Sequence, residues 1–152
     1  PRRPRRGSCE MNLPMLDLQT REGEPVSWGD LWQRRNVLLL LAHPECPVCR
    51  RVLAAWSEQA PALQAENAVA LAAFPAPPAD VPEGIRVIVD PGDRLARHLG
   101  VGPGSVIAAD RFFAVLGSGD AHAAGAEEAA RDALDWIRLA ERKCDECGVP
   151  TW

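Results

Sequence analysis

At 152 residues the chain is long enough for one domain with its own core. Its apolar runs, Val37 to Ala42 among them, are too short to cross a bilayer, so no membrane partner is expected. The net charge is −4, but four arginines in the first six residues leave −8 on the rest, and an acidic body without an extended basic surface argues against a nucleic-acid partner.

The opening Pro1-Arg2-Arg3-Pro4-Arg5-Arg6 reads as a solvated basic arm over residues 1–9, followed by a folded domain over 10–142 and a cysteine-containing tail over 143–152. No apolar stretch follows the arm, so a signal-peptide pattern is missing. The expected location is cytoplasmic, or extracytoplasmic if an upstream segment has been removed. Met11 to Gln19 reads as a strand interrupted by Pro14. Arg21 to Pro25 is a turn, and Val26-Ser27 returns to complete a small hairpin. Ser27 or Asp30 can cap a helical turn over 29–33. Val37 to Ala42 shows no alternation, as expected of a strand buried on both faces. From Pro47 to about Glu66 the spacing of Val52, Ala55/Trp56 and Gln59/Ala60 predicts a helix, which Pro61 should kink or divide.

Ala68 to Phe74 is a second buried strand, Pro75 to Glu83 a loop, and Ile85 to Val89 a third strand. Asp90-Pro91-Gly92-Asp93 turns into a short helix over 94–99 that Gly100 ends. Val106–Ala109 and Phe112–Leu116 form a hairpin. Glu127 to Arg142 is a closing helix with Ala130, Ala133/Leu134, Ile137 and Ala140 on one stripe. This order implies an α/β sandwich: a mixed central sheet flanked by helices, with an N-terminal β-hairpin extension.

Chemistry is concentrated in five cysteines, Cys9, Cys46, Cys49, Cys144 and Cys147, four of which form two CxxC pairs. The odd count argues against a fully stapled framework and points to redox chemistry or to metal. Cys46-Pro47-Val48-Cys49 lies where a buried strand meets a helix. Unpaired N–H groups and the positive end of the helix dipole stabilise a thiolate there, so Cys46 is the expected nucleophile. Cys49, about one turn further in, is the expected resolving cysteine that closes the ring and expels a bound partner. Arg50 adds positive potential, which Glu45 partly offsets.

The segment Asn36 to Arg51 with its Cys46/Cys49 motif resembles the active-site region of the thioredoxin superfamily. Leu13-Pro14, Glu22-Gly23-Glu24-Pro25-Val26-Ser27, Leu31, Asp90-Pro91-Gly92-Asp93 and Leu99-Gly100-Val101 resemble its redoxin branch, which includes TlpA-like and AhpC/TSA-like proteins. The resemblance covers roughly residues 11–142. It implies a thioredoxin-like fold and a thiol-disulfide oxidoreductase, without cofactor or metal, exchanging its dithiol with protein or small-molecule disulfides as a monomer or weak dimer. It also implies a cis-proline before the hairpin strand, for which Pro103 is the candidate. Two positions depart from the pattern. Glu45 stands where an aromatic residue commonly precedes the first cysteine, and Leu40 stands in place of the buried acid of thioredoxins proper. Proton transfer then falls to water, His43 or Glu45.

Peroxiredoxins share this scaffold but use Pro-x-x-x-Thr/Ser-x-x-Cys to polarise a peroxide. Here those positions hold Leu39 and His43, which argues against a dedicated peroxidase. The second pair, Cys144/Cys147, can act as a second redox pair, contribute to a metal site, or be idle. A closing helix over 127–142 spans roughly 24 Å at ~1.5 Å per residue, placing this pair at the pole opposite Cys46 and against one four-thiolate zinc site. A binding module that uses the first CxxC as a structural disulfide or metal-delivery site is the non-enzymatic alternative. His98 and His122 read as surface residues with no second ligand spaced to complete a metal site. Trp56 reads as core, and Cys9 as a free thiol in the arm.

Overall fold

In the computed structural model, residues 11–147 are described, with side chains through residue 142. The basic arm expected over residues 1–9, with Cys9, lies outside the described residues.

A six-stranded sheet with the order β1-β4-β3-β2-β5-β6 forms the centre. Its strands are β1 (Gln19–Thr20), β2 (Asn36–Leu41), β3 (Ala68–Phe74), β4 (Ile85–Val89), β5 (Ser105–Ala109) and β6 (Val115–Asp120). β2, β3 and β4 are parallel, while β5, β6 and β1 run antiparallel to their neighbours. The helices are α1 (Pro47–Glu58), α2 (Ala60–Ala65), α3 (Arg94–Leu99), α4 (Ala121–Ala124) and α5 (Ala126–Cys147).

The unalternating run in β2 is explained by two cores. Leu38, Leu40 and Ala42 face a cluster with Val52, Leu53 and Trp56 of α1 and Ala130, Leu134 and Ile137 of α5. Val37, Leu39 and Leu41 face the other side, with Leu95 and Leu99 of α3, Leu13, Leu18, Trp28 and Phe113. In β3 the residues facing α1 and α2 are Ala68, Ala70 and Ala72, small enough for helices to lie close to the sheet. Trp56 is 1% exposed and donates its indole N–H to the Ala130 carbonyl at 3.1 Å, joining α1 to α5.

Several elements differ from the sequence-based expectation. The N-terminal hairpin is short, closed by Val26 N–H to Leu18 O and Thr20 N–H to Glu24 O at 2.9 and 2.7 Å. Pro14 cuts the preceding segment out of the sheet, apart from a bridge between Asn12 and Ala114. The helical turn predicted over 29–33 is a 3-10 turn at Trp28–Asp30. As Pro61 leads one to expect, the helix divides, here at Gln59 with Pro61 in the first turn of α2.

The second hairpin strand begins at Val115, not Phe112. Asp110 Oδ1 accepts from Phe112 N–H and Ala114 N–H, drawing residues 110–114 into a turn that buries Phe113. The strand then runs on through Leu-Gly-Ser-Gly-Asp, a stretch without apolar alternation. Gly117 is required there because a Cβ would lie 2.7 Å from the Trp136 ring. The closing helix extends past Arg142, so Cys144 and Cys147 lie on its backbone. Their side chains, and with them the second redox pair, fall outside the described residues.

Candidate functional site

β2 carries the chain to the carboxyl end of the sheet, where Ala42 N–H still pairs with Ala73 O at 2.9 Å. His43-Pro44-Glu45 breaks the strand, and Glu45 turns the backbone at φ +55°. Cys46, in extended conformation, caps α1, with Pro47 in the first turn where a missing N–H leaves no bond unmade. The Cys46 Sγ accepts the Cys49 N–H at 3.4 Å. A sulfur thus fills the role that an oxygen usually has at a helix start, facing donors and the positive end of the helix dipole.

Both thiols are reduced and buried, Cys46 at 6% exposure and Cys49 at 2%. Burial pushes the Cys49 thiol up from 9.0 to about 11; a hydrogen bond from the His43 backbone opposes the rise, and the neighbouring Cys46 adds to it. Behind the pair, Leu40 is fully buried in the same core as both cysteines, in the position where thioredoxins proper carry an acid.

Sequence spacing assigns His122 to the surface with no metal partner. The residue is exposed, but it is not isolated. Its Nε2 lies 3.8 Å from Cys46 Sγ and 3.0 Å from His43 Nε2, and the two imidazoles stack at an interplanar angle of 13°. His43, Cys46, Cys49 and His122 each offer one ligand-type atom, and these atoms all lie within 4.8 Å of one another. His122 is held by the four-residue helix α4, whose start Asp120 caps by accepting the His122 N–H at 2.9 Å. The Asp120…Gly125 punctuation was a readable helix signal, though so short a helix has no apolar stripe to support it.

The structure also corrects the expectation for Pro103. Its peptide bond is trans, as are all those among the described residues. The next residue, Gly104, is the one that meets His122. Gly104, at φ +87°, donates to Leu41 O at 2.7 Å and accepts from Ala121 N–H at 3.0 Å. A Cβ at Gly104 would collide with the His122 ring, with Nε2 at 2.6 Å. Gly104 therefore keeps open the space that the His122 ring fills.

Beside Cys46 opens a groove of about 870 Å³, lined by Cys49, Arg50, Leu53, Phe74 and the proline-rich 76–82 loop. Glu45, Asp80 and Arg50 also line it, so two carboxylates and one guanidinium border a largely apolar cleft.

α5 points away from this site. Near its start, Glu127 pairs with Arg51 of α1 at 3.4 Å. Near its end, Glu141 accepts from Asn36 Nδ2 at 2.5 Å, at the opposite end of β2. Cys144 lies about 26 Å along the helix axis from Glu127, at ~1.5 Å per residue.

No family model and no curated protein matches the sequence. Solved structures do match the fold. The peroxidoxin BcpB of Mycobacterium tuberculosis superposes with a TM-score of 0.70 at 15% identity, over 86% of this chain and 96% of its own. A protein assigned as the thiol:disulfide interchange protein DsbE of Chlorobium tepidum gives 0.66 at 22% identity, over 85% and 94%. ScoI of Bradyrhizobium japonicum, solved with copper bound, gives 0.57 at 15%, over 80% and 94%. With its mixed sheet, flanking helices and a CxxC at the strand-to-helix junction, the chain has a thioredoxin-like fold.

Proposed function

We propose that the chain is a thiol-disulfide oxidoreductase in which Cys46 is the nucleophile and Cys49 the resolving thiol. One observation carries this reading: the Cys46 sulfur caps α1, accepting the Cys49 N–H, with an imidazole nitrogen 3.8 Å away. The chemistry named for two of the structural neighbours, peroxidoxin and thiol:disulfide interchange, supports a thiol function on this scaffold.

In the reducing direction, the Cys46 thiolate attacks one sulfur of a partner disulfide. A mixed disulfide forms, and the other partner sulfur leaves as a thiolate. Cys49, once deprotonated, attacks Cys46 Sγ; the Cys46–Cys49 disulfide forms and the second partner thiolate departs. Two electrons pass from the protein dithiol to the partner. His122, exposed to solvent, is placed to take the Cys46 proton and to return it to a leaving thiolate, and the half-buried His43 lies within hydrogen-bond reach of it at 3.0 Å. The cleft lined by Phe74, Leu53 and the 76–82 loop suits an extended, apolar segment of a protein partner more than a small thiol.

A peroxidase reading lacks support at the residues that such chemistry needs: Leu39 is buried in the core, and no hydroxyl stands at position 43. The test is insulin reduction by dithiothreitol, followed as turbidity. The expected result is acceleration by the native chain, its loss in Cys46→Ser, and accumulation of a mixed disulfide in Cys49→Ser. Hydrogen-peroxide turnover that survives Cys49→Ser, without insulin reduction, would overturn the proposal in favour of the peroxidase.

A further inference from the structure

The four groups that meet at the head of α1 form a ligand set as well as a redox pair. We infer that reduced Cys46 and Cys49, together with His43 and His122, bind one zinc(II) ion in a closed tetrahedral site that oxidation of the dithiol opens.

Geometry is the first support. With zinc–nitrogen bonds of ~2.0–2.1 Å and zinc–sulfur bonds of ~2.3 Å, a tetrahedral site has nitrogen–nitrogen edges of about 3.3 Å, nitrogen–sulfur edges of about 3.6 Å and a sulfur–sulfur edge of about 3.8 Å. The His43–His122 separation is 3.0 Å and the Cys46–His122 separation 3.8 Å, and no pair of the four donors is more than 4.8 Å apart. Adjustments of a few tenths of an ångström in the histidine rotamers, and at most about 1 Å elsewhere, bring all four to bonding distance.

Donor chemistry selects the ion. Two thiolates and two imidazoles, with no carboxylate among them, disfavour calcium, magnesium and manganese and suit a borderline-soft d10 cation. Two thiolate charges balance the 2+ charge, so the bound state adds no net charge beside the buried sulfurs. Access is also provided. The sulfurs are buried, His43 is half-buried and His122 exposed, so the ion arrives past the imidazoles onto the thiolates.

The local backbone holds the His122 ring there. Gly104 leaves space for the ring, and Asp120 caps the short helix that carries it. Four protein ligands leave no open coordination position, which characterises structural or regulatory zinc more than catalytic zinc.

The ion and the disulfide exclude each other. When a partner disulfide oxidises the zinc dithiolate, the Cys46–Cys49 bond forms, two partner thiolates are released and the zinc(II) departs. Two electrons leave the protein sulfurs, and the 2+ of the ion balances the two thiolate charges. This release step rests on the exchange chemistry proposed above, whereas binding requires only the reduced thiols.

The experiment uses the full chain carrying Cys9→Ser, Cys144→Ser and Cys147→Ser, so that only the first pair can ligate. Zinc(II) is titrated into the reduced protein against a chromogenic chelator, and cobalt(II) reports tetrahedral thiolate ligation by its absorption bands. The expected result is one ion per reduced chain, and none after oxidation by glutathione disulfide. Loss of a partner behind a ligand weakens metal binding 10–100-fold, so loss of a ligand itself in His122→Ala or His43→Ala should exceed about 100-fold. His43 lies on a loop and His122 on the short helix α4, and circular dichroism checks the fold of each variant. Absence of binding by the reduced chain overturns the site. So does stoichiometric binding of zinc(II) or copper(I) at unchanged affinity in both histidine variants, since the thiols alone would then suffice. Insulin reduction measured on the same samples separates this result from the oxidoreductase reading.

Discussion

The chemistry of Cys49 permits a quantitative test. Its thiol lies at about 11 against an ordinary value of 9.0, chiefly because the sulfur is buried at 2% exposure. Two pH units correspond to about 100-fold less thiolate at neutral pH and to roughly 3 kcal/mol. Alkylation by iodoacetamide, mapped by peptide mass spectrometry in a chain with Cys9, Cys144 and Cys147 changed to serine, should modify Cys46 first. In Cys46→Ser, which removes the smaller contribution of the neighbouring thiol, Cys49 should react with a rate that still climbs past pH 9 and levels off between 9 and about 11. Restricted access would lower the plateau but leave the midpoint in place, so the midpoint isolates the thiol's protonation. The same shift has a consequence for stability. Between pH 9 and 11 the unfolded chain loses the Cys49 proton while the folded chain keeps it. The contribution is therefore fully present below pH 9 and is lost as pH rises through about 11. Urea denaturation of the reduced protein should show a loss of roughly 3 kcal/mol at most across that window, absent in Cys49→Ala. A Cys49 midpoint at or below 9, or identical pH profiles for the two proteins, would refute the assignment of burial as the dominant cause.

Three further outcomes test the packing around the site. Gly104→Ala forces a Cβ into the His122 ring and a non-glycine residue to φ +87°; we expect about 1–2 kcal/mol lost by thermal denaturation, with insulin reduction slowed as the imidazole is displaced. Gly117→Ala meets the Trp136 ring at 2.7 Å and should cost about 1–3 kcal/mol, with a changed tryptophan emission, while Cys46 reactivity stays native. Asp90 is 3% exposed, and its two carboxylate oxygens accept the Arg94 and Leu95 N–H groups at 3.0 and 2.9 Å. Asp90→Ala should therefore cost about 2 kcal/mol in urea denaturation, the upper range for a lost helix cap.

The parts of this protein that local chemistry controls were legible before any coordinates. Six consecutive apolar residues without alternation required a strand covered on both sides, and β2 supplies alternate residues to two separate cores. The position of the CxxC between that strand and a helix was equally readable, because a strand end, a proline at the first helical position and an amphipathic stripe all lie within about 20 residues. The limits of β6 were not readable. Leu-Gly-Ser-Gly-Asp is a strand because its glycines accommodate Trp136 from α5, a contact between segments distant in sequence.

His122 shows the same limit at the site itself. It follows Cys46 by 76 residues, and its approach depends on the register of β5 against β6, the turn from Asp120 into α4 and the bare Cα of Gly104. No periodicity records those three conditions, because each is a distance between strands or across a turn and not a repeat along the chain. The sequence by itself determined the thiols, their place at a helix start and the scaffold behind them. The tertiary structure alone decided that two imidazoles complete the site, and that the proline expected to pack against it gives way to a glycine and a histidine ring.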